Sequence, residues 1–485
     1  MIQSSTPSGL TFAVARISIE FTSTFAVGTG RGDSLHDAVC VTDANGLPAL
    51  PGTSIAGVLR SVMSSEDESY ARDLFGYQAT KRGEQASGSA SRLEVSWAVV
   101  HDAKNRPVAP LRAATETDDA VLRHLRLGVV RDHVRISERG VADGNGKFDV
   151  RSVPAGARFT FELKLNAASK QEAQRELELI VNRIASGAIR FGARTRRGAG
   201  SFDMIEALIG AFDLGVSADR NAWRATKGSL RERPNALREF KPKPNGSGST
   251  RLLELPLEPA DLWIFGTGKP VEGRDGHFTM AKDKRKPHDK LQVWEQRIVW
   301  SNQGGSVSTP KDAPALIAGT SIKGAIRHRT LFHAIRLAKR RPETAANPLL
   351  AANAAVDALF GFVSAGADGG AAVGQLSVTD IYVQDVKEIP MQHVALDRFT
   401  QAPMDGFLYS EAPVRSARVT LKFQLSAEAA KLPNAGIALP SLELALTDLA
   451  AGRLALGSGA NRGHGFFRGA PETTASIKNF ARVTP

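Results

Sequence analysis

Apolar and polar residues alternate in several stretches of the chain, and similar stretches recur in both halves. Residues 11–21, 159–165 and 419–425 alternate with a period of two, which predicts strands with one buried face. Residues 169–186 and 441–450 instead repeat apolar residues at helical spacing, which predicts amphipathic helices. The pattern therefore predicts an α+β protein whose two halves follow the same order of elements.

One short motif occurs once in each half. Residues 51–60 read PGTSIAGVLR, and residues 318–327 read AGTSIKGAIR. Thr and Ser after a glycine turn are typical N-cap residues, but the free N–H groups and the dipole of a helix start also attract anions. Two copies that both end in Arg favour phosphate binding over simple capping, and Lys323 and Arg327 are expected to be exposed. The candidate phosphate contacts are Thr53, Ser54, Arg60, Ser321, Lys323 and Arg327.

A longer motif also occurs twice. Residues 187–202 match residues 452–467 without a gap, in the pattern G-x-[IL]-x-[FL]-G-x-x-x-x-R-G-x-G-x-F. The offset of 265 positions (187 to 452) is close to the 267 positions (53 to 320) of the first motif, which indicates a duplicated domain. Flanking glycines let a nucleic-acid backbone approach closely, so phosphate contact is favoured over plain surface charge for the loop residues. These are Arg194, Arg196, Arg197, Asn461 and Arg462.

Each half reads as strand, loop, helix, strand, excursion, strand, helix, Gly-rich loop and short strand. This order is close to the β-α-β-β-α-β plan of ferredoxin-like and RRM-like domains. We therefore predict two tandem domains, residues 1–215 and 251–485, each with a protruding hairpin. Residues 216–250 are rich in Arg, Lys, Pro, Gly and Ser and predict a basic linker, either a solvated tether or a nucleic-acid contact.

Charge and composition narrow the class of partner. The chain has 485 residues, a net charge of +12 and a pI of about 9.8, which favours a polyanion, nucleic acid before an anionic membrane. Cys40 is the only cysteine, which excludes a disulfide framework and a cysteine-based zinc site. The N-terminus is unlike a signal peptide and no apolar run is long enough to span a membrane. The expected location is the cytoplasm, with no membrane partner.

The loop before the first short motif carries the candidate catalytic residues. Residues 27–37 are rich in glycine and contain Asp33, His36 and Asp37. A carboxylate there can act as a general base or hold a metal ion, and His36 can transfer a proton; loop solvation is the alternative. The matching loop of the second half is longer and offers Asp275, Asp283, Asp289 and Glu295.

Together these motifs resemble the CRISPR-associated RAMP superfamily. The similar features are the Gly-Thr-Ser helix, the Leu-Phe-Gly that follows it, Asp-Arg-Phe-Thr at 397–400 and the closing Gly-Arg loop. More narrowly, the chain resembles the backbone subunit of type III effector complexes, and its tandem layout resembles the fused subunits of type III-D-like systems. The resemblance covers both halves except the linker and parts of the excursions.

The resemblance implies an RNA-binding role. A backbone subunit binds guide RNA (crRNA) through its first helix and Gly-rich loops, alongside other type III effector subunits. Hairpins, here within 101–150 and 385–412, kink the duplex of guide and single-stranded target RNA. Arg398 of the Asp-Arg-Phe-Thr stretch is a further candidate RNA contact.

The resemblance also implies a cutting residue. An Asp in the loop after the first strand cuts the target and requires a divalent metal, Mg²⁺ or Mn²⁺. Asp37 fits this role as the catalytic and metal-binding residue, with Asp33 as its rival, although Ala38 stands where Pro is usual. Counting back from the turn assigns Glu295 to the same role in the second half, with the three Asp residues of the longer loop as substitutes, Asp289 among them.

Two other functions stay open from the sequence. The first is a purely structural RNA-binding subunit that does not cut. The second is a stand-alone ribonuclease that processes guide RNA, an activity for which related enzymes generally use His as the base. The tandem layout and the Asp-bearing loop favour the cutting backbone subunit over both.

Overall fold

The structure is a computed structural model that describes most of the chain. The described residues are 10–28, 40–79, 87–109, 111–113, 118–136, 142–226, 228–243, 250–266, 290–344, 346–363, 370–416 and 418–482.

The first domain contains five described helices and ten described strands. The helices are α1 (Gly52–Ser64), α2 (Glu68–Phe75), α3 (Ala120–Leu127), α4 (Lys170–Ile184) and α5 (Ser217–Ala225). The strands are β1 (Thr11–Phe21), β2 (Tyr77–Ala79), β3 (Ser87–Ser89), β4 (Leu93–Val95), β5 (Val99–Val100), β6 (Val129–Ile136), β7 (Ala142–Ser152), β8 (Arg158–Asn166), β9 (Phe202–Asp213) and β10 (Arg238–Glu239).

The second domain repeats and extends this set among the described residues. Its helices are α6 (Gly319–Ala338), α7 (Pro348–Phe360), α8 (Ala435–Ala450) and α9 (Thr473–Ala481). Its strands are β11 (Thr250–Pro259), β12 (Lys290–Leu291), β13 (Ile298–Ser301), β14 (Gly304–Val307), β15 (Ala315–Ile317), β16 (Gly361–Val363), β17 (Ala371–Val373), β18 (Leu376–Val378), β19 (Ile381–Val383), β20 (Lys387–Glu388), β21 (Met391–Leu396), β22 (Pro403–Ala412), β23 (Val414–Arg415), β24 (Val419–Ser426), β25 (Ala451–Ala455) and β26 (Phe466–Gly469).

The central sheets confirm the predicted ferredoxin-like plan in both domains. The first sheet runs β10-β9-β1-β8-β4, with β5 also paired to β8, and the second runs β18-β24-β11-β26-β25. With the outer strands β10 and β25 set aside, both sheets place the fourth strand of the plan beside the first, then the third and the second. The pairings of β1 with β8 and β9, and of β11 with β24 and β26, are antiparallel. This order is that of a β-α-β-β-α-β domain.

Alternation along the strands places one core in each domain. Ile17, Ile19 and Phe21 are fully buried, as the period-two pattern predicts, and they pack with residues of α1 and α4. In the second domain, Leu421 and Phe423 are buried with residues of α6 and α8. The two excursions contain the expected antiparallel hairpins, β6–β7 and β21–β22.

The predicted linker is wrong for most of its length. Within 216–250, α5 packs Trp223 against Phe12 and Phe212 of the first sheet, with ring centroids 5.0 and 5.3 Å apart. Strand β10 then pairs with β9, so this segment covers the free face of the first sheet. The many Arg and Lys residues of this segment favoured the linker prediction, although a few apolar residues between them pack against the sheet. Residues 227 and 244–249 lie outside the described part.

A hairpin of the second domain packs into the first domain. In β13, Ile298 is fully buried in the first domain's core, and its N–H donates to the carbonyl oxygen of Ala155 at 2.9 Å. The indole Nε1 of Trp300 donates to the carbonyl oxygen of Gly156 at 2.7 Å. A Cβ at Gly156 would lie 1.9 Å from the Ile298 carbonyl oxygen, so only glycine fits this approach. The two domains are therefore docked.

Candidate nucleic-acid interface

The first Gly-rich loop packs against the start of α6. A single 3₁₀ turn, Thr195–Arg197, ends at Gly198, whose φ is +110° and where a Cβ would lie 2.3 Å from Oδ1 of Asp380. That carboxylate oxygen in turn accepts a hydrogen bond from the N–H of Gly319 at 2.8 Å. Glycine at 198 thus lets the loop of one domain reach the helix start of the other.

Arg190 anchors this loop across the domain junction. Its guanidinium donates to Oε1 of Gln424 at 3.0 Å and to Oγ1 of Thr379 at 2.7 Å in the second domain, and to the carbonyl oxygen of Thr195 at 3.1 Å. The side chain is almost fully buried. These contacts hold the loop at a defined position over α6.

The docked loop and helix bring predicted phosphate contacts of both repeats together. Arg196, Arg197, Lys323 and Arg327 interact electrostatically at this junction, although their motifs are far apart in the sequence. Burial and then the charges of Arg197, Arg196 and Arg327 lower the pKa of Lys323 to about 7. Among the described residues, no carboxylate contacts Arg196, Arg197 or Lys323. Arg196, Arg197 and Lys323 therefore form a group of cations without a carboxylate partner in the described part of the chain, whereas Arg327 pairs with Asp357.

The expected exposure of Lys323 is wrong. The side chain is buried, and its Nζ donates to the carbonyl oxygen of Leu376 at 2.9 Å. Arg327 is half-buried, with Nη2 2.6 Å from Oδ1 of Asp357 on α7. Both side chains are covered because β18 and α7 pack against α6. The spacing of residues along α6 alone could not predict this packing.

The Thr-Ser pairs do not cap their helices. The N-cap positions are Pro51 and Ala318, and neither helix start has a side-chain capping bond. Thr53 and Ser321 are exposed in the first turns, and Ser54 is half-buried. In the described part of the chain, none of these three hydroxyls forms a hydrogen bond. Arg60 is half-buried farther along α1.

A buried ionic network replaces the catalytic role predicted for Glu295. The Glu295 carboxylate accepts from Arg131 of β6 at 2.7 and 2.8 Å and from the Tyr382 hydroxyl at 2.6 Å. Arg131 also lies 2.5 Å from Oδ2 of Asp380. Glu295 is only 4% exposed, so both oxygens are used and water is excluded. The prediction that Glu295 corresponds to Asp37 is corrected: it fastens the first hairpin to the second domain.

The backbone register gives a different counterpart for Asp37. Gly28 bridges Cys40 in the first domain, and Gly266 bridges Gln292 in the second. Three positions before these matched residues, the sequence has Asp37 and Asp289, each preceded by His, at 36 and 288. By the same register, Glu295 corresponds to Asp43, a turn residue. Asp33, His36, Asp37, Asp275, Asp283 and Asp289 themselves lie outside the described residues.

Each hairpin carries a stacked histidine–aromatic pair that the sequence reasoning missed. His133 stacks on Phe148 with ring centroids 5.1 Å apart, and His393 stacks on Tyr409 at 5.0 Å. The guanidinium of Arg194 lies 5.6 Å from the Phe148 centroid, and that of Arg462 lies 6.0 Å from the Tyr409 centroid. The signal was present, since the pairs are 260 and 261 positions apart (133 to 393, 148 to 409), near the repeat offset.

The second Gly-rich loop differs from the first. Arg462 is bound by the buried carboxylate of Glu411, at 3.1 and 2.5 Å. It is therefore not the free phosphate contact that the motif predicts. Asn461 and Arg398 are exposed, the first in the loop turn and the second at the hairpin tip.

The described residues also bear on the metal and membrane predictions. Within the described ranges, no group of three or more His, Cys, Asp or Glu side chains is arranged to hold a metal ion. In the same part of the chain, no helix combines the length and the apolar character that crossing a bilayer requires.

The protein consists of two tandem ferredoxin-like domains, and each domain carries a hairpin and a Gly-rich loop. The sequence model of the RAMP superfamily matches residues 18–203 and 308–468, more than half of the chain, and the chain belongs to that superfamily. No curated protein matches it. Among solved structures, it is similar to a chain of the cryo-EM structure of the Type III-B Cmr-beta bound to cognate target RNA. The identity is 14% and the TM-score 0.29, over 41% of this chain and 61% of that chain.

Proposed function

We propose that this chain is a guide-RNA-binding backbone subunit of a type III CRISPR effector complex. It acts in the cytoplasm with other effector subunits, and each domain contributes a loop carboxylate that cuts bound single-stranded target RNA. The proposal rests on membership of the RAMP superfamily and on the charge of the domain junction.

The observation that carries the proposal is the group of Arg196, Arg197 and Lys323 without a described carboxylate partner. A buried lysine surrounded by arginines is costly unless an anion neutralises it. The start of α6 lies at the same place, but its Gly319 N–H already donates to the Asp380 carboxylate, so the side-chain cations rather than the helix dipole carry the proposal. A phosphodiester is an anion that suits this site, because arginine forks bind phosphate oxygens and a polynucleotide supplies phosphates in a row.

The cutting residues of the proposal are Asp37 and Asp289. Asp37 precedes Cys40 by three positions in the sequence, and the thiol of Cys40 interacts electrostatically with Arg194 of the Gly-rich loop. This proximity along the chain supports Asp37 as the cutting residue of the first domain. The repeated His-Asp dipeptide at matching register extends the same role to Asp289.

The carboxylate-rich loops suit a hard divalent cation. The proposed donors are Asp37 in the first loop and Asp289 in the second, and a bound cation, Mg²⁺ or Mn²⁺, would neutralise charge on the phosphate. His36 and His288 stand next to the carboxylates and would accept or donate a proton. A non-cutting scaffold remains the second candidate, distinguished by the Asp substitutions described below.

RNA binding by the full chain tests the proposal. The probe is a fluorescein-labelled single-stranded RNA of mixed sequence, titrated at several salt concentrations. Arg196→Ala/Arg197→Ala is expected to weaken binding at least tenfold and to reduce the slope of log Kd against log salt by about 1.4, or about 0.7 for each lost phosphate contact.

The matched control is Arg418→Ala/Arg468→Ala, which removes the same charge at exposed positions away from the junction. It is expected to change affinity about twofold or less. Equal losses in the two double variants would mean that net charge, rather than the junction, binds RNA. No RNA binding by the wild-type chain would end the proposal.

A further inference from the structure

The hairpin bases of the two domains are equivalent positions with different chemistry. Phe25 and Val153 exchange backbone hydrogen bonds in the first domain, as Trp263 and Val414 do in the second. Counting three residues back along each hairpin strand matches buried Val150 to buried Glu411. The histidine–aromatic pairs lie two strand positions farther along, in the same register. The two sites therefore share a backbone register and a stacked pair but differ in charge at the position of Val150 and Glu411.

In the second domain, Glu411 occupies the centre of a closed polar cluster. Its Oε1 lies 2.9 Å from Nε2 of His393 and 3.0 Å from Nε2 of His464, and both of its oxygens accept from Arg462. Burial raises the pKa of the Glu411 carboxyl, but hydrogen bonds from Arg462 and His464 outweigh this and keep the pKa below its usual value. The carboxylate is thus an anion held by a bidentate arginine fork, the geometry that a phosphate adopts.

In the first domain, the matching site has the arginine but no anion. Arg194 lies over Phe148, half-buried, and no carboxylate among the described residues contacts it. It comes from a different loop position, since Arg194 aligns with Gly459 and Arg462 aligns with Arg197. Burial and the charges of Arg194 and Arg131 lower the pKa of His133 to about 4, which leaves the imidazole neutral at physiological pH. The site repels added positive charge and favours an anion.

We propose that the loop arginine over the hairpin aromatic ring is an anion site in both domains. The first domain keeps it open for an RNA phosphate at Arg194, and the second domain closes it with its own carboxylate, Glu411. The inference rests on the proposed RNA binding and adds that the two halves hold the RNA backbone unequally.

The closed site also explains a co-located difference in the loops. His464 aligns with Ala199, so the second domain has a histidine as well as the carboxylate where the first domain has two apolar residues. A buried carboxylate needs several donors, and Arg462, His393 and His464 supply them. In the first domain, the matching position holds the uncharged Val150, whose cross-strand partner Arg131 is bound by Glu295 and Asp380, so neither residue supplies an anion to Arg194.

Four variants of the full chain test the inference with the same labelled RNA. Arg194→Ala is expected to weaken binding about tenfold, whereas Arg462→Ala changes it about twofold or less, because Arg462 already has its anion. Glu411→Gln keeps the shape but removes the charge and is expected to tighten binding about fivefold, with the salt slope steeper by about 0.7. Glu411→Gln/Arg462→Ala returns affinity to the wild-type value.

Thermal melting of every variant checks that it is folded. If Glu411→Gln melts far below the wild type, Val150→Glu provides the reciprocal test: RNA binding weakened as in Arg194→Ala supports closure by a carboxylate, and unchanged binding overturns it. Equal losses in Arg194→Ala and Arg462→Ala also overturn it. Such results leave RNA binding at the junction intact, whereas absence of RNA binding by the wild-type chain removes both proposals.

Discussion

The two domains share a backbone plan but present opposite electrostatic states at their Gly-rich loops. The first loop meets α6 and carries Arg194, Arg196 and Arg197 without a described acidic partner, whereas Arg462 of the second loop is neutralised inside its own domain. The free faces of the sheets differ as well. The first is covered by α5, and the second is exposed and bears surface ion pairs such as Lys422 with Glu254. The two domains therefore share the pattern of buried apolar residues but differ in the charged residues of their loops. A buried charge is tolerated where a nearby residue of opposite charge pairs with it, as Glu411 pairs with Arg462.

The cutting carboxylates offer the largest effect. Asp37→Ala and Asp289→Ala are each expected to lower the rate at their own set of target-RNA cuts by about a thousandfold or more, with little change in RNA affinity, because a catalytic carboxylate contributes mainly in the transition state. The measurement is a map of cuts in labelled target RNA by the reconstituted complex.

Chelation of divalent metal should stop both sets of cuts. Asp33→Ala tests the rival carboxylate of the first loop, and cuts that persist in Asp37→Ala but disappear in Asp33→Ala would move the first assignment to Asp33. Cuts that persist in Asp289→Ala and disappear in Asp275→Ala or Asp283→Ala would identify one of these two residues, rather than Asp289, as the cutting residue of the second domain. Cuts unaffected by all these changes would make the chain a scaffold.

The junction network gives the next largest effect. Arg131→Met leaves Glu295 and Asp380 buried without their counter-ion, which is expected to cost about 3–5 kcal/mol of domain docking. Calorimetry should then show the two domains unfolding at separate temperatures. Arg131→Met/Glu295→Gln/Asp380→Asn removes the unpaired charges and is expected to recover part of the loss. A single unshifted transition in Arg131→Met would show that the β13–β14 hairpin alone holds the domains together.

Removal of Trp223 tests the covered face of the first sheet. Trp223→Ala is expected to destabilise the first domain by about 2 kcal/mol, because it empties the contact between α5 and two phenylalanine rings. The free energy of unfolding is measured in urea by far-UV circular dichroism. Trp97→Ala is the matched control, since Trp97 is half exposed on the same domain and should cost far less. Equal losses of stability in Trp223→Ala and Trp97→Ala would mean that residues 216–243 do not stabilise the first domain and act only as a tether.

The smallest predicted effect is a pH dependence at the junction. The pKa of Lys323 is about 7, below its ordinary 10.5, so its burial penalty is fully present below pH 7 and is relieved as pH rises toward 10.5. A bound phosphate favours the protonated amine, so RNA binding should take up a proton and tighten about fivefold as pH falls from about 8 to about 6. In Lys323→Gln, RNA affinity should not increase as the pH falls. An identical pH profile in both proteins would place the phosphate elsewhere.

Much of the fold follows from local sequence features. Alternation in β1, β8 and β24 and the helical spacing in α4 identify the strands and helices, because one buried face imposes a period on the side chains. The two repeated motifs identify the duplication, and repeat order alone predicts the β-α-β-β-α-β plan. The segment at α5 was missed because its apolar residues are few and separated by arginines.

The candidate site was predictable as a set of residues but not as an arrangement. Arg196, Arg197, Lys323 and Arg327 were identified from their motifs, and Glu295 was misassigned because counting across an insertion does not preserve register. Backbone pairing at Cys40 and Gln292 restores the register. The histidine–aromatic pairs were visible only as matched offsets, since cross-strand contact depends on how each hairpin pairs.

By itself the sequence determined the duplication, the ferredoxin-like elements of each half and the residue types that can bind phosphate. These depend on local periodicity and backbone preference. Only the tertiary structure decided that the first loop meets the second domain's helix, that Lys323 is buried among arginines and that Arg462 is closed by Glu411. Such facts depend on contacts between residues far apart in the chain, where burial and partner distance set the energy of each charge.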